Sequence, residues 1–580
     1  MMVMKERSRT NTCASCSRRE FMSKLGILAG VGAVSPELLA MLPPPVSPSL
    51  IPSKEGAVKV RVIFAYHTPD EIQAKPDWPN VGYDFRPAMK NMIDTLNWQI
   101  PGVEFIPTSS NGRDHTKGIV LADEKAGEIK GYMVVQLNCW NNCISGVWEN
   151  TQKATFYTTL PYAGDGGWLR HNSFIMTHLR PHYASFAAFD FSQVVKVAKA
   201  FEVLKDGTAE DFQKKAFEYR NALIPADTPP KGIKVIDDKV KCVTPDEALA
   251  KLKGLKILSV ENVQRPEYAA EIERTLGIVI ERVPFEEVNN NARAADEAEA
   301  KAVAKSWIDK ASRIEYVTDE TILGCARIYL GMKKTLADHG AKAITVNCLG
   351  GCYSGKLDAY PCLGFMQLQD EGLMGVCEND INSTTTMLAF SALTGGRVGY
   401  VSDPVLDMAN RVISYAHCVS TRRFFGKDGP ESDFEILTHS EDRKGASVRS
   451  FVPIGEPVTT VKFNFNRKQI VLHTGVVIAN DRDDRACRTK IVAHVTGDYS
   501  KMELAWIKFG WHRVTFMGDF RSDVEAFAKR IGYEIVYESW HPAKSSRRTA
   551  APQSVRRAKL HNGEQFEGCP HKRHLPLRER

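Results

Sequence analysis

The chain has no uninterrupted run of ~18 or more apolar residues, the length a membrane-spanning helix needs. No membrane span is therefore expected in the mature chain. No internal repeat recurs at a period of ~20 to 50 residues, which excludes solenoids and propellers. The thirteen cysteines are scattered through a large chain and lack the density of a small disulfide-stapled domain. Most read as buried thiols. Cys13 and Cys16 in "CASC" have zinc-like spacing, but no second pair follows them, so they do not make a zinc knuckle.

Nor is there a basic body. The formal charge of +7 sits at the two ends: residues 543–580 carry ten Lys or Arg against three Glu, and residues 1–24 carry six basic against two acidic residues. The chain between them is mildly acidic. The basic C-terminal stretch lacks interleaved aromatics, so it reads as a solvated extension and not as a nucleic-acid platform.

What is present is an ordinary globular composition, 43% hydrophobic and 25% charged. At 580 residues the chain exceeds the ~250 to 300 residues that one core holds, so two or three domains are expected. Residues 17–34, "SRREFMSKLGILAGVGAV", pair two arginines with a short Gly/Ala-rich apolar run, the pattern of a twin-arginine export signal. A surface helix would show polar residues every three or four positions, and this run shows none. "MLPPPVSPSLIPSKEG" follows as a Pro/Ser linker.

The hydrophobic patterning divides the chain as follows. Residues 1–55 hold the signal and linker. Residues 56–245 form an N-terminal α/β domain, opened by the buried strand "VKVRVIFAY" and continued by "GYMVVQLNCW" and by helices near residues 86–96, 191–204 and 211–223. Residues 246–385 form a second α/β domain with strands "GLKILSV", "IVIERVPF" and "AKAITVNC" and long helices over 292–311 and 318–340. Residues 386–545 change to short β-rich runs and predict a barrel or sandwich closed by the helix and strand of "RSDVEAFAKRIGYEIVYE". Residues 546–580 are the disordered basic tail. The fold class is α/β, two Rossmann-like domains followed by a β-rich, barrel-like one.

Two groups of residues could carry chemistry. Cys348, Cys352, Cys362 and Cys377 are spaced by four, ten and fifteen positions, which matches neither ferredoxin patterns nor paired knuckles, and their neighbours are core-like. Packing is the favoured account, and a Cys-cluster redox protein is the alternative. The second group is acidic. "CENDINSTTTML" places Glu378 and Asp380 at the start of a helix, and Asp403 follows "GGRVGYVSD", at the end of a strand, where α/β folds place working groups. Singly these acids suit caps and surface charge. His417 in "ISYAHC", His439 in "ILTHSEDRKG" and His512 in "KFGWHRVTFMGD" singly suit the core. Together, two carboxylates and one imidazole can hold a hard divalent cation and leave positions open for substrate.

The run "CENDINSTTTMLAFSALTGGRVGYVSD" resembles the L-fucose isomerase family, in which END is followed by a helix, L-T-G and a strand ending in Asp. One extra residue stands here between L-T-G and the Asp. The family's metal ligands fall on Glu378 and Asp403, and "WHRVTFMGDFRSDVEAFAKRIGYEI" matches the segment of its third ligand, giving His512. Trp511 stands where the family has Asn. "LQDEGLMGVCEND" is similar to a run in the L-arabinose isomerases, whose later ligands would fall near His417 and His439; "CRTKIVAHV", with Arg488, is similar to a recurrent strand of fucose-isomerase-like proteins. The resemblance implies an aldose–ketose isomerase with a sugar substrate, Mn²⁺ or Mg²⁺, and a trimeric or hexameric homo-oligomer. Glu378 and Asp403 would ligate and transfer the proton, His512 would complete the metal's ligands, and Asp380, His417, His439 and Arg488 form a second tier. With the twin-arginine machinery as partner the protein would be exported to the periplasm; without a working signal it would stay cytoplasmic. An exported carbohydrate-binding protein without catalysis is a further alternative.

Overall fold

The computed structural model describes residues 56–67, 71–178, 180–261 and 266–539. The twin-arginine stretch, the linker up to residue 55, Cys13, Cys16 and the basic tail lie outside the described residues. β1 (Val58–Ala65) alternates buried and half-buried positions at Val58 to Arg61 and is then buried through Ala65. It lies in parallel between β2 (Val103–Ser110) and β3 (Gly131–Gln136), and β4 (Ala154–Thr159) and β5 (Tyr183–Ser185) extend the sheet in the order β2-β1-β3-β4-β5. β3 and β4 are buried along their whole length, as strands covered on both faces are. The helices expected near residues 86 and 211 run Arg86–Gln99 and Ala209–Leu223. The second starts at a reciprocal cap between Thr208 and Asp211.

A second parallel sheet is built from β6 (Lys256–Val260) and β7 (Val279–Val283), then, past β8 (Arg313–Glu315), which pairs elsewhere, from β9 (Ala343–Val346) and β10 (Met374–Val376). Its order is β10-β9-β6-β7. The single helix expected over 292–311 is two helices, Phe285–Arg293 and Glu297–Lys310. The break falls at Asp296, whose side chain accepts the Glu299 N–H and starts a new helix.

The β-rich region is a closed barrel. β11 (Tyr400–Asp407) and β12 (Val412–His417) are followed by β13 (Phe434–Leu437) and β14 (Ser447–Ser450), which leave to form a three-stranded sheet with β8. β15 (Pro457–Asn464), β16 (Gln469–Asn480), β17 (Thr489–Val495) and β18 (Arg513–Met517) return to the barrel. Its order is β15-β18-β11-β12-β17-β16, each strand antiparallel to the next, and β15 also pairs with β16 to close the ring. Closure leaves no unpaired edge among these six strands. β19 (Glu534–Tyr537) adds to β16 in parallel after the helix Arg521–Ile531, which stops at Gly532 with φ 72. The architecture is thus two Rossmann-like parallel sheets and a six-stranded barrel. Among the described residues no helix is long and apolar enough to cross a membrane.

Candidate metal centre

Glu378 and Asp403 reach one place by different routes. Glu378 sits in the turn from β10 into the helix Ile381–Leu393, at the carboxyl edge of the second sheet. Its φ is 59 and that of Asn379 is 49, two successive non-glycine residues in the left-handed region. Such backbone persists only where its surroundings over-determine it. Here Asn379 does so: its amide donates to the Val260 and Thr345 carbonyls at 2.8 and 3.4 Å, its Oδ1 accepts from Ser259, and its N–H bonds to Val346 O at 2.9 Å. The turn is pinned to the ends of β6 and β9, and Glu378 is aimed outward.

Asp403 comes from the barrel. It lies within β11, opposite Ala416 of β12, and Ser402 beside it pairs with Arg513 of β18. The expectation that Asp403 ends its strand is corrected: β11 continues to Asp407, antiparallel to both neighbours. That register carries His417 and His512 to the same rim, since each adjoins a residue paired across β11. His512 Nε2 is 3.0 Å from Asp403 Oδ1 and 3.6 Å from Glu378 Oε2; His417 Nε2 is 3.9 Å from Glu378 Oε1. One donor atom from each of the four residues lies within 4.8 Å of all the others.

These separations suit a hard cation. Neighbouring ligands on an octahedron of ~2.1 Å radius stand ~3 Å apart and opposite ones ~4.2 Å, so the widest pair must draw in by a few tenths of an ångström. Asp403, His417 and His512 are buried, whereas the Glu378 side chain is 28% exposed. The centre is open on the Glu378 side. Around a six-coordinate cation these four donors would leave two positions open.

The electrostatics fit the same donor set. Burial pushes the Glu378 carboxyl up to about 8, with His512 pulling down and Asp403 pushing up. Burial alone would lower His512, but Asp403, hydrogen bonds to Asp380 and Asp403, and Glu378 raise it well above its ordinary value. Protons thus hold the place of positive charge that a dication would bring, and metal binding would release them. His417 is held down by burial, stays neutral, and its Nε2 is buried with no hydrogen-bond partner. A buried, orphaned ring nitrogen among carboxylates is what a ligand position requires.

The two imidazoles are not equally prepared. His512 Nδ1 donates to Asp380 Oδ2 at 2.8 Å, leaving Nε2 toward the other donors, the carboxylate–histidine arrangement common behind metal ligands. Asp380 Oδ2 also accepts from Lys462 Nζ at 2.9 Å and Ser383 Oγ at 2.6 Å, and Asp380 caps the helix Ile381–Leu393 through the Ser383 N–H. Burial opposes its charge, yet Lys462 and His512 hold its carboxyl well below the usual range. His417 Nδ1 accepts a 3.3 Å bond from Val419 N–H, and ligation through Nε2 would give that bond up.

Of the residues read from the sequence, Glu378, Asp403, His512 and His417 converge, and Asp380 stands directly behind His512. His439 and Arg488 do not join them. His439 pairs with Asp442 at 3.0 Å, and Arg488 is buried, spanning Thr438 and Asp484. Both hold the loop after β13. Lys462 was not singled out by the sequence, although a lysine inside "PVTTVKFN", a strand with apolar neighbours, is a legible sign of a buried partner. Cys348, Cys362 and Cys377 are buried and Cys352 is half-buried. The single cluster of metal-holding groups among the described residues contains no sulfur. Trp511, next to His512 in the chain, packs toward residues of the first domain, its ring 4.9 Å from Trp140 and 6.2 Å from Trp78.

No family model matches the chain. Curated relatives are distant and share one name. Sulfoquinovose isomerase of Clostridium sp. (strain MSTE9) is 22% identical over 276 residues, 46% of this chain and 60% of that protein. Sulfoquinovose isomerase of Priestia aryabhattai is 24% identical over 155 residues, 26% of this chain and 33% of that protein, and that of Alkalicoccus urumqiensis is 26% identical over 101 residues, 17% and 23%. The chain thus spans between about a quarter and three fifths of the curated relatives it matches. Among solved structures, an ABC transporter system solute-binding protein from Aeropyrum pernix K1 aligns over 58% of this chain and 70% of that one at 12% identity, with a TM-score of 0.15, too low to bear on fold or function.

Proposed function

We propose that the protein is a metal-dependent aldose–ketose isomerase that interconverts two sugars through an enediol. The observation that carries this is the convergence of Glu378, Asp403, His417 and His512 on one point, open on the Glu378 side. Two carboxylates favour Mn²⁺ or Mg²⁺ over zinc, and the imidazole nitrogens tilt the choice toward Mn²⁺. When bound, such a cation supplies Lewis-acid polarisation of adjacent carbonyl and hydroxyl oxygens and makes the neighbouring carbon-bound proton more acidic. Glu378, Asp403 and His512 would hold it, with His417 as the fourth donor. Glu378 has two carboxylate oxygens, one to ligate and one free to take the proton from one carbon and return it to the next. Asp380 and Lys462 keep His512 in orientation.

The relatives' name makes sulfoquinovose the first substrate to test. The proposal extends to export by the twin-arginine route, on the residues 17–34 motif, and to a trimeric or hexameric assembly. The decisive experiment measures bound metal in the wild type and in Glu378→Gln, together with aldose-to-ketose conversion by NMR with Mn²⁺ supplied. We expect roughly one Mn²⁺ per chain, lost in the variant together with at least ~100-fold of the rate. Unchanged metal content in Glu378→Gln removes the site. A sugar bound in the presence of Mn²⁺ but never converted would make the protein a carbohydrate-binding one instead.

A further inference from the structure

The turn that aims Glu378 also brings two thiols together. Sγ of Cys348 and Sγ of Cys377 are 2.8 Å apart, both residues buried and both cysteines free. They leave the carboxyl ends of neighbouring parallel strands: Cys377 directly follows β10, and Cys348 opens the short helix Cys348–Tyr353 after β9. A disulfide bond is ~2.05 Å long, so about 0.8 Å separates this contact from a covalent one. Cys348 Sγ also accepts the backbone N–H of Glu378 at 3.4 Å. The sulfur pair and the half-buried Glu378 carboxylate of the centre therefore share one stretch of backbone.

We propose that Cys348 and Cys377 form a reversible disulfide, and that closing it displaces Glu378 and weakens divalent-cation binding. The second half rests on the metal centre proposed above. Burial of both sulfurs favours a small oxidant, here a hydroperoxide. Cys348, whose sulfur receives the Glu378 N–H, attacks a peroxide oxygen; the O–O bond breaks, a sulfenic acid forms, and the thiol proton leaves with the departing oxygen as water or alcohol. The Cys377 thiol sulfur then attacks that sulfur, the S–S bond forms, and the sulfenic hydroxyl leaves with the Cys377 proton as water. Two thiol protons and two electrons pass to one peroxide, and a dithiol reductant reverses the change.

The coupling follows from where the turn is held. Asn379 is fastened to β6 and β9 on one side of Glu378, so movement of Cys377 on the other side falls on Glu378, already at φ 59. Metal–ligand distances tolerate only about ±0.2 Å, less than the closure requires. The asymmetry with the second sulfur contact is informative. Cys487 Sγ lies 3.9 Å from Asp403 Oδ2, a contact with a ligand's side chain and not with its backbone.

The test uses the full chain, reduced or treated with hydrogen peroxide, with peptide mass analysis after alkylation and Mn²⁺ titration of both forms. Expected are a Cys348–Cys377 linked peptide, Mn²⁺ affinity about tenfold weaker in the oxidised form, and recovery with dithiothreitol. In Cys377→Ser the same oxidant should leave Mn²⁺ affinity unchanged; should that variant not fold, the wild-type comparison with and without reductant decides alone. Absence of the linked peptide overturns the disulfide, and equal affinity of the two forms overturns the coupling. No Mn²⁺ binding by the reduced protein overturns the metal centre and the coupling with it, while the peptide still decides the disulfide.

Discussion

Asp380 shows how much of the centre is decided one residue back from the donors. Its Oδ2 accepts from His512, Lys462 and Ser383, so one oxygen orients a ligand, neutralises a buried lysine and anchors a helix. Replacing it with Asn separates these roles, because Asn caps a helix as well as Asp but carries no charge. Asp380→Asn should keep helix content by circular dichroism while Mn²⁺ affinity by titration falls 10- to 100-fold, the usual cost of losing such a partner. Undiminished affinity would mean that His512 needs no such support. The sequence made Glu378 and Asp380 visible as a pair three residues from a helical run. It did not separate the outward acid from the inward one, since that depends on the left-handed turn at Glu378 and Asn379.

At the scale of elements, the register of β11 between β12 and β18 does the assembling. A slip of one residue would turn Asp403 to the other face of its strand and dissolve the centre. The helix Asp165–Thr177 contributes in another way: a Cβ on Gly166 would stand 1.3 Å from the Trp511 ring, so only glycine lets that helix approach the rim beside His512. Gly166→Ala should push Trp511 off Trp140, change tryptophan fluorescence, and cost about 1–3 kcal/mol as overpacking does. Wild-type stability in urea would show that the rim yields freely. The strands β1, β3, β6, β7, β9, β15, β16 and β17 were legible from β-branched runs, whereas β2, β4, β5, β8, β10 and β14 were not read from the sequence. The break at Asp296 was not, because the Ala/Glu/Lys pattern continues across it and only the cap is local. His417 and His439 were indistinguishable for a similar reason: both follow apolar strands, but β12 borders β11 whereas β13 leaves the barrel.

For the whole molecule, the centre ties the second sheet to the barrel, since its donors come from positions 378 to 512. Without a cation, this site makes folding depend on pH. The Glu378 carboxyl is raised to about 8, so the folded chain keeps a proton the unfolded chain has lost, and stability falls as pH rises toward 8. Raised His512 acts in the same sense, its stabilisation being lost as pH climbs through its folded value, and buried Glu441 and Asp165, both pushed up to about 7 by desolvation, add to it. His417 and His171, lowered by burial, oppose this only up to their ordinary value of 6.5. The metal-free melting temperature should therefore drop between about pH 7 and pH 8, and a fixed Mn²⁺ concentration should raise it more at pH 8 than at pH 7, a hundredfold excess over Kd stabilising the fold by about 2.7 kcal/mol. A metal-free melting temperature that climbs across that interval would contradict the assignment.

By itself the sequence determined the fold class and the chain order of the more strongly patterned elements, because periodicity, caps and β-branching act over a few neighbouring residues. It also supplied the residue types, the acids of "END", the Asp after "GGRVGYVS" and a set of histidines, from which a centre could be made. The resemblance grouped Glu378, Asp403 and His512, and tertiary structure alone decided that His417 joins them and His439 does not. Barrel closure and strand register set distances between residues more than a hundred positions apart, and those depend on pairings no local pattern encodes. The same holds for the thiols of Cys348 and Cys377: packing accounts for their burial, and only the adjacency of β9 and β10 brings their sulfurs into contact.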